Sequence, residues 1–255
     1  MLTHQIDGTG EPLLLLNGGL MSITAWDSFL PALAAHRKVI RCDFRGQLRS
    51  QPPYATSLEE HARDLVELLD ALQLDQIDIA GVSFGGLVGM FTAATWPARV
   101  RRLMVINATD RTIDFMRRDA EEAIKIAELA STGQGDGVEL FRRVFEGTWS
   151  DAWLAKHPGF LEERLKHLTL LPPQFYAGAA EILRVLATVA LTPYLGAIRA
   201  ETLVIGGEFD RVFPIEHSRA IAKAIPGARL TVVPDTGHGL LFEQPEAWIT
   251  PLIAR

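Results

Sequence analysis

The stretch Gly-Val-Ser-Phe-Gly at residues 81–85 decides the fold of this chain. It follows the apolar run Ile-Asp-Ile-Ala at residues 77–80, and small and apolar residues that favour a helix come after it, at 86–94. A small residue two positions before and two after a serine lets the backbone reverse sharply between a strand and a helix, which holds the hydroxyl in a strained, exposed position. The sequence therefore predicts that Ser83 is a nucleophile on a strand-to-helix turn.

Strand-like and helix-like patterns alternate on both sides of this turn. The strand-like runs lie at residues 13–16, 38–42, 76–80, 101–106, 202–205 and 229–233, and the helical patterns between and after them lie at 24–35, 57–73, 215–225 and 245–254. Alternation of this kind is typical of an α/β protein with a parallel sheet covered on both faces. We therefore predict a mostly parallel central sheet flanked by helices.

Between residues 110 and 193 the strand-like runs stop. Helical patterns at 113–129, 138–145, 160–170 and 175–189 replace them. We therefore predict an α/β core domain formed by residues 1–109 and 194–255, with a helical cap, or lid, inserted at residues 110–193. The breaker-rich turns at 131–137 and 171–173 are the expected hinges of this lid.

Composition narrows the class of protein. The chain has 255 residues, 25 basic and 31 acidic, and a net charge of −6, with no Lys/Arg-rich run, so we expect no nucleic-acid partner. The first residues lack the pattern of a secretion signal and no apolar run reaches membrane-spanning length, so we expect a cytoplasmic protein with no membrane partner. The single cysteine, Cys42, excludes an internal disulfide and a cysteine-based zinc cluster. No oligomeric state is predicted.

A serine hydroxyl becomes a good nucleophile near neutral pH when an imidazole accepts its proton and a carboxylate orients that imidazole. Of the seven histidines, His238 is the best candidate, because it lies in a glycine-flanked loop directly after the last predicted strand. Asp210, which follows the preceding strand, is the favoured acid, and Glu208 and Asp110 compete with it. The chain order Ser83, Asp210, His238 is the order that a serine on such a turn uses.

Acyl transfer also needs hydrogen-bond donors for the oxygen that becomes negative. Phe84 follows the nucleophile at a helix start, where its N–H and the helix dipole both favour negative charge. The second donor is expected from the turn Asn-Gly-Gly-Leu at residues 17–20, where glycine lets the backbone approach a ligand closely. Gly19 is the first choice for this oxyanion hole, and Leu20 is the next.

These residues together resemble the α/β-hydrolase superfamily over nearly the whole chain. The stretch at residues 43–50 resembles the Asp-x-Arg-Gly-x-Gly-x-Ser turn of that family, and the Gly-His pair at 237–238, with Glu243 and Pro245, is similar to its Gly-His-x-x-x-x-Glu-x-Pro ending. Small capped esterases and enol-lactone hydrolases such as 3-oxoadipate enol-lactonase are the most similar members. The resemblance implies the α/β-hydrolase fold and a serine hydrolase.

Two positions depart from the family pattern. Asn17 stands where the family commonly has histidine, which changes the side-chain bracing of the oxyanion loop. Asparagine at that place also occurs in the enol-lactone hydrolases, which points toward lactones. Leu48 replaces the second glycine of the Asp-x-Arg-Gly-x-Gly turn, and we expect a reshaped turn because leucine tolerates positive φ poorly.

The predicted cap is rich in aromatic and large apolar residues, most of which must pack against one another. Some must face the cleft between cap and sheet, and we name Phe145, Trp149, Trp153 and the loop residue Leu20 as candidate substrate contacts. The predicted function is cleavage of a small apolar or aromatic carboxylic ester or lactone through an acyl-enzyme, with no cofactor and no metal. The alternatives are hydrolysis of a carbon-carbon bond in a diketone-like ring-cleavage product, and a non-catalytic ligand receptor of the same fold.

Overall fold

The computed structural model describes residues 1–50, 52–166, 168 and 171–254. A seven-stranded sheet has the order β1-β3-β2-β4-β5-β6-β7, in which β1 is antiparallel to β3 and all the other pairs are parallel. The strands are β1 (His4–Asp7), β2 (Pro12–Leu16), β3 (Lys38–Cys42), β4 (Ile77–Val82), β5 (Val100–Ile106), β6 (Glu201–Gly207) and β7 (Arg229–Val233).

Eleven α-helices lie within the described residues. They are α1 (Leu30–Ala34), α2 (Leu58–Ala71), α3 (Phe84–Thr95), α4 (Asp114–Ser131), α5 (Gly137–Thr148), α6 (Asp151–Lys156), α7 (Phe160–Lys166), α8 (Pro173–Leu186), α9 (Ile215–Ala224), α10 (Leu240–Glu243) and α11 (Glu246–Ile253). One apolar cluster fills the space between the sheet and helices that include α2 and α3, and a second lies on the opposite face under α11. The predicted mostly parallel sheet flanked by helices is confirmed. None of the described helices has the length and apolar character needed to cross a membrane.

Three details differ from the sequence prediction. The single helix predicted at residues 24–35 is wrong: a short 3₁₀ turn at Ile23–Trp26 precedes the separate helix α1, because Pro31 occupies one of its first positions and favours a helix start. The edge strand β1 was missed because its mostly solvent-facing sequence contains no apolar run. The helix predicted at 160–170 corresponds to α7, and residues 167, 169 and 170 of that prediction lie outside the described residues.

The parallel strands place their carboxyl ends at one edge of the sheet. Ser83 follows β4 directly, Asn107 follows β5, and Asp210 follows β6 by three residues. His238 follows β7 by five residues. Loops that follow parallel strands converge at that edge, which is where this class of sheet binds ligands. The fold therefore brings together chemical groups that lie far apart in the sequence.

Helices α4 to α8 stand between β5 and β6 and share an apolar cluster of their own. Its buried members come from α4, α5 and α8 and include Ala127, Phe141 and Phe175. Helix α8 also belongs to the main core, because Ile182 and Val185 are buried in the cluster on the α3 side of the sheet. The division into a core domain and a cap at residues 110–193 stays a prediction, and α8 is the part of that segment that packs on the sheet side.

Helix α8 meets the loop after β3 at a crossing of two glycines. A Cβ atom on Gly178 would lie 2.1 Å from the carbonyl oxygen of Gly46, and a Cβ on Gly46 would lie 2.9 Å from that of Gly178. Gly46 has a φ of +103°, so the positive φ expected near this turn falls on a glycine and not on Leu48. Leu48 packs at the edge of the helical cluster. The expected reshaping of this turn relative to the family pattern therefore stays a prediction, with Leu48 outside the positive-φ region.

The close contact at this crossing predicts that a methyl group added at Gly178 destabilises the fold. Gly178→Ala should lower the free energy of unfolding by about 1–3 kcal/mol, because the new Cβ has to push the backbone of the loop away from α8. Gly196→Ala is the matched control, since a Cβ there meets nothing within 4 Å. Urea denaturation of both variants checks the prediction. Equal stability of the two variants would contradict the tight crossing.

Candidate active site

Ser83 lies in a strained turn between β4 and α3. Its φ and ψ are 52° and −119°, outside the regions that most L-residues adopt, and its side chain makes no capping hydrogen bond to α3. A Cβ on Gly81 would lie 2.4 Å from the carbonyl oxygen of Gly85, and a Cβ on Gly85 would lie 2.3 Å from that of Leu16. The two glycines are therefore required by close backbone contacts, and they hold a half-buried hydroxyl at the sheet edge.

His238 and Asp210 form a hydrogen-bonded pair. Their Nδ1 and Oδ2 atoms are 2.8 Å apart, and the two side chains are 12% and 1% exposed. The other carboxylate oxygen of Asp210 accepts hydrogen bonds from the backbone N–H groups of Val212 and Phe213 at 2.9 and 2.8 Å. The carboxylate is thus fixed by its own loop, with one oxygen directed at the imidazole.

Two of the three predicted residues are joined directly. Within the described residues, no hydrogen bond connects the Ser83 hydroxyl to His238, although both occupy the same edge of the sheet. Hydrogen bonds between a nucleophile and its base are often long in a free enzyme and shorten when substrate binds. The assignment of Ser83, Asp210 and His238 as a catalytic set therefore remains a prediction, supported on its Asp–His side by a contact.

Asp110, the competing acid, has different partners. Its carboxylate contacts His217 Nδ1 at 2.8 Å, Arg111 at 2.6 Å and Thr192 at 2.8 Å. Burial acts to raise the pKa of Asp110, and hydrogen bonds from His217 and Thr192 with the Arg111 charge outweigh it, so the pKa is lowered. This group ties the end of β5 to α9 and to the chain that leaves α8. Glu208 is exposed, and its carboxylate accepts a hydrogen bond from the Asp235 N–H at 3.3 Å.

Asn107 is a site residue that sequence reasoning missed. Its side-chain amide donates to the carbonyl oxygens of Gly237 and His238, both at 3.0 Å, and its amide oxygen accepts from Gly207 N–H at 2.8 Å. It has a φ of 45°, a conformation that asparagine tolerates better than most residues. Its place directly after a strand of the parallel sheet was the available signal.

Glu243 links the loop that carries His238 to the junction between α5 and α6. Its carboxylate accepts from the Ser150 hydroxyl at 2.6 Å and from the Gly237 N–H at 3.2 and 3.3 Å. Gly239 N–H donates to the carbonyl oxygen of Thr148 at 2.7 Å. The junction of α5 and α6 is therefore bonded to both sides of His238.

The glycine loop after β2 lies against the serine turn. A Cβ on Gly18 would be 3.7 Å from Ser83 Cβ, and a Cβ on Gly19 would be 3.9 Å from Phe84 Cβ. Gly18 N–H donates to the sulfur of Met21 at 3.2 Å, whereas Gly19 N–H has no acceptor among the described residues. Phe84 is the first residue of α3, so its N–H also lacks an intrahelical partner. Both predicted donors therefore lie at neighbouring positions with no acceptor in the described ranges.

The predicted substrate contacts occupy two places. Leu20 and Phe145 are half-buried at the edge of the helical cluster. Trp149 is buried, with its ring against Gly239, and it stacks on Trp153 at 4.7 Å. Trp153 also stacks on His157 at 3.8 Å. Their contact with a substrate remains a prediction. Within the described ranges, no three His, Cys, Asp or Glu side chains are grouped so that they could bind a metal ion.

A buried histidine lies behind the serine turn. His61 of α2 has no exposed surface, and its ring packs edge-on against Phe44 and Phe84 with centroids 5.4 and 5.0 Å away. In the part of the chain that the structure describes, neither ring nitrogen has a hydrogen-bond partner. Burial, with a smaller effect from the charge of Arg45, lowers the pKa of His61 to about 3. The imidazole is therefore neutral and supports Phe84 as an aromatic packing partner.

The chain is similar to known proteins over most of its length. A family model described as the α/β hydrolase fold matches residues 11–245. The chain is 31% identical over 259 residues to the 2-hydroxy-6-oxo-2,4-heptadienoate hydrolase of Pseudomonas putida, covering 95% of this chain and 87% of that protein. It is 30% identical over 252 residues to RutD of Azorhizobium caulinodans, described as a proposed carbamate hydrolase, with 97% and 91% covered. A thermophilic esterase from Thermogutta terrifontis superposes with a TM-score of 0.84 at 28% identity, covering 98% and 91% of the two chains.

His61 predicts an acid-sensitive fold. Between about pH 6.5 and pH 3 the unfolded chain binds a proton on this histidine that the folded chain does not, so stability falls as the pH falls through that window. We therefore compare the free energy of unfolding of His61→Leu with that of the wild type at two pH values. The variant should be more stable relative to the wild type at about pH 4.5 than at about pH 7, by about 2.5 kcal/mol. His36 is exposed and provides the control variant His36→Leu. Its free energy of unfolding relative to the wild type should be the same at the two pH values. Urea unfolding at both pH values checks this, and parallel pH profiles of wild type and His61→Leu would contradict it.

Proposed function

This chain belongs to the α/β-hydrolase fold family, and we propose that it is a serine hydrolase that cleaves a small apolar or aromatic carboxylic ester or lactone. One observation carries the proposal: the 2.8 Å hydrogen bond between His238 and Asp210 lies at the sheet edge where the strained turn holds Ser83. A carboxylate, an imidazole and a serine hydroxyl at one edge are the groups that nucleophilic acyl transfer requires.

In the proposed reaction, Ser83 Oγ attacks the substrate carbonyl carbon while His238 Nε2 accepts the hydroxyl proton. The carbonyl oxygen becomes negative and is bound by the N–H groups of Gly19 and Phe84. The intermediate then expels the alkoxide leaving group, which takes the proton from His238, and an acyl-enzyme remains. Water, deprotonated by His238, attacks this ester, and the acid product and the free Ser83 hydroxyl are released.

Asp210 determines which nitrogen of His238 accepts the proton. Because the carboxylate contacts Nδ1, that nitrogen carries the hydrogen and Nε2 keeps its lone pair for the serine proton. The backbone N–H groups of Val212 and Phe213 hold the other carboxylate oxygen, so the acid cannot rotate away without losing two hydrogen bonds. The negative carboxylate also stabilises the imidazolium formed during the reaction.

The surroundings of the oxyanion loop favour an uncharged substrate. A Cβ on Gly19 would lie 3.2 Å from Ile182 and 3.7 Å from Leu186, which are both apolar residues of α8. Arg142 and Arg143 of α5 are cations that could bind a substrate carboxylate, but they are instead paired with Glu139 and Asp119. The likeness to the esterase of Thermogutta terrifontis supports an ester as the bond that is cleaved.

A second candidate is hydrolysis of a carbon-carbon bond in a diketone-like ring-cleavage product. The 31% identity to the Pseudomonas putida hydrolase favours it, because the substrate in that name combines an enol, a ketone and a carboxylate. Such a compound needs a cation for its carboxylate, and the pairing of Arg142 and Arg143 with acids weighs against it. Selective turnover of a vinylogous diketone, with no turnover of short aryl esters, would replace the first candidate with the second.

If Ser83 is the nucleophile, removal of its hydroxyl oxygen should nearly abolish turnover. Ser83→Ala should lower kcat for a short-chain aryl ester by a factor on the order of 10⁶, because the members of such a set act as a unit. Its circular dichroism spectrum should match that of the wild type, since the hydroxyl forms no cap on α3. Activity within about tenfold of wild type would remove Ser83 from the mechanism. Binding of the ester without turnover by the wild type would indicate a ligand receptor.

The two buried carboxylates provide a matched pair of variants. Asp210→Asn should lower kcat by a factor of about 10⁴, because the amide holds His238 in the wrong tautomer. Asp110→Asn should leave kcat much closer to wild type and lower the free energy of unfolding instead, since its partner is His217. Steady-state kinetics and urea denaturation of both variants test this. The reverse ranking of kcat would transfer the role of the acid to Asp110.

A further inference from the structure

Gln47 is a buried amide whose hydrogen-bonding capacity is fully used. Its side-chain nitrogen donates to the carbonyl oxygen of Gly18 at 2.7 Å and to that of Gly19 at 3.3 Å. Its side-chain oxygen accepts from the Phe44 N–H at 3.0 Å and from the Asn17 amide at 2.9 Å. The residue is 2% exposed. An amide can donate twice and accept twice, so no bond of this group is left unmade.

The partners determine which way the amide faces. The backbone N–H of Phe44 can only donate, so the oxygen of Gln47 must lie beside it. The carbonyl oxygens of Gly18 and Gly19 can only accept, so the nitrogen must lie beside them. Asn17 is fixed in turn, because its oxygen accepts from the Trp26 indole at 2.6 Å. The oxygen of Gln47 is therefore fixed by Phe44 and Asn17, while its nitrogen binds the carbonyl groups of Gly18 and Gly19.

The bond to Gly18 sets the direction of the Gly19 N–H. The carbonyl of Gly18 and the N–H of Gly19 belong to one peptide group, which is planar and trans, so the two point in opposite directions. The carbonyl oxygen is fixed at 2.7 Å from Gln47 and also accepts from the Met21 N–H at 3.1 Å, so the Gly19 N–H is turned away from Gln47. Glycines on both sides of this peptide leave it free to rotate when nothing holds the carbonyl.

We propose that Gln47 is a positioning residue that holds the Gly18–Gly19 peptide so that the Gly19 N–H faces the carbonyl oxygen of the substrate at Ser83. The inference rests on the proposed function, in which Gly19 and Phe84 bind the oxyanion. Gly19 is placed for this, since a Cβ on it would lie 3.9 Å from Phe84 Cβ. Gln47 itself does not touch the reacting atoms, and it acts through the peptide that it binds.

The role explains why an amide, and not a carboxylate, stands at residue 47. A carboxylate of the same shape would still accept from Phe44 and Asn17, but it would place a second oxygen against the carbonyl oxygens of Gly18 and Gly19. Two acceptors that face each other repel, and the peptide would rotate away. A protonated carboxyl group would restore one donor to the carbonyl.

The first test is therefore Gln47→Glu, assayed with an aryl ester across the pH range. We expect kcat to fall by about 10- to 100-fold at alkaline pH with KM changed by less than about threefold, because misplacement of one oxyanion donor affects the transition state more than the bound substrate. The deficit relative to wild type should shrink as the pH falls and the introduced carboxyl gains a proton. Gln76→Glu, at an exposed position, makes the same charge change and should match wild type at every pH.

The second test is Gln47→Met, which keeps the length of the side chain and removes both donor and acceptor. Its deficit in kcat should be independent of pH, in contrast to that of Gln47→Glu. Inhibition by phenylboronic acid, which forms a tetrahedral adduct with a nucleophilic serine, should weaken in both variants by the same factor as kcat/KM. If Gln47→Met does not fold, the pH dependence of Gln47→Glu decides the question.

The outcomes separate this proposal from the one on which it rests. An active wild type together with folded Gln47 variants of unchanged kcat would overturn the positioning role and leave the serine mechanism intact. A wild type that turns over no ester and binds no boronic acid, like Ser83→Ala, would overturn both. A fall in melting temperature with kcat, KM and boronate affinity unchanged would show a structural role only and would overturn the positioning role.

Discussion

The site depends on one constraint: no side chain fits at residue 85. A Cβ there would lie 2.3 Å from the carbonyl oxygen of Leu16, so the first turn of α3 rests directly on the end of β2. This approach places the glycine loop that continues from β2 over the Ser83–Phe84 turn, and it makes two free N–H groups neighbours of the hydroxyl. The strained backbone of Ser83 persists because the strands and helices around it are buried and cannot relax separately.

Buried amides hold the loops on the two sides of this turn. Asn17 and Gln47 brace the glycine loop on one side, and Asn107 binds the carbonyl groups of the His238 loop on the other. Each amide both donates and accepts, so it can connect backbone segments that have no ladder hydrogen bonds of their own. A buried network of this kind defines one arrangement when all its members are paired, because an unpaired polar group in the interior is costly.

Much of the fold was predictable from local patterns. Strands β3 and β7 have the predicted bounds, and Ser57 accepts a hydrogen bond from Glu60 N–H at the predicted start of α2. The pairing of Asp210 with His238 followed from chain order and strand ends. The position of Asn107 at a strand end was a usable signal, but its partners and the role of Gln47 were not predictable, because tertiary structure brings those partners from elsewhere in the chain. Asn17 departs from the family pattern at a visible position, but the bracing of the glycine loop passes through Gln47, which no local sequence pattern distinguishes.

The bonds from Glu243 and Gly239 to the α5–α6 junction have a mechanical consequence. Ser150, through Glu243, and Thr148 are bonded to the loop on the two sides of His238, so displacing this junction without the imidazole would break these hydrogen bonds. If the proposed lid moves, it moves about points other than this junction, or it carries His238 with it. The α5–α6 junction forms a strap across the His238 loop, so in the proposed mechanism a ligand that displaced the strap would also displace the imidazole from Ser83.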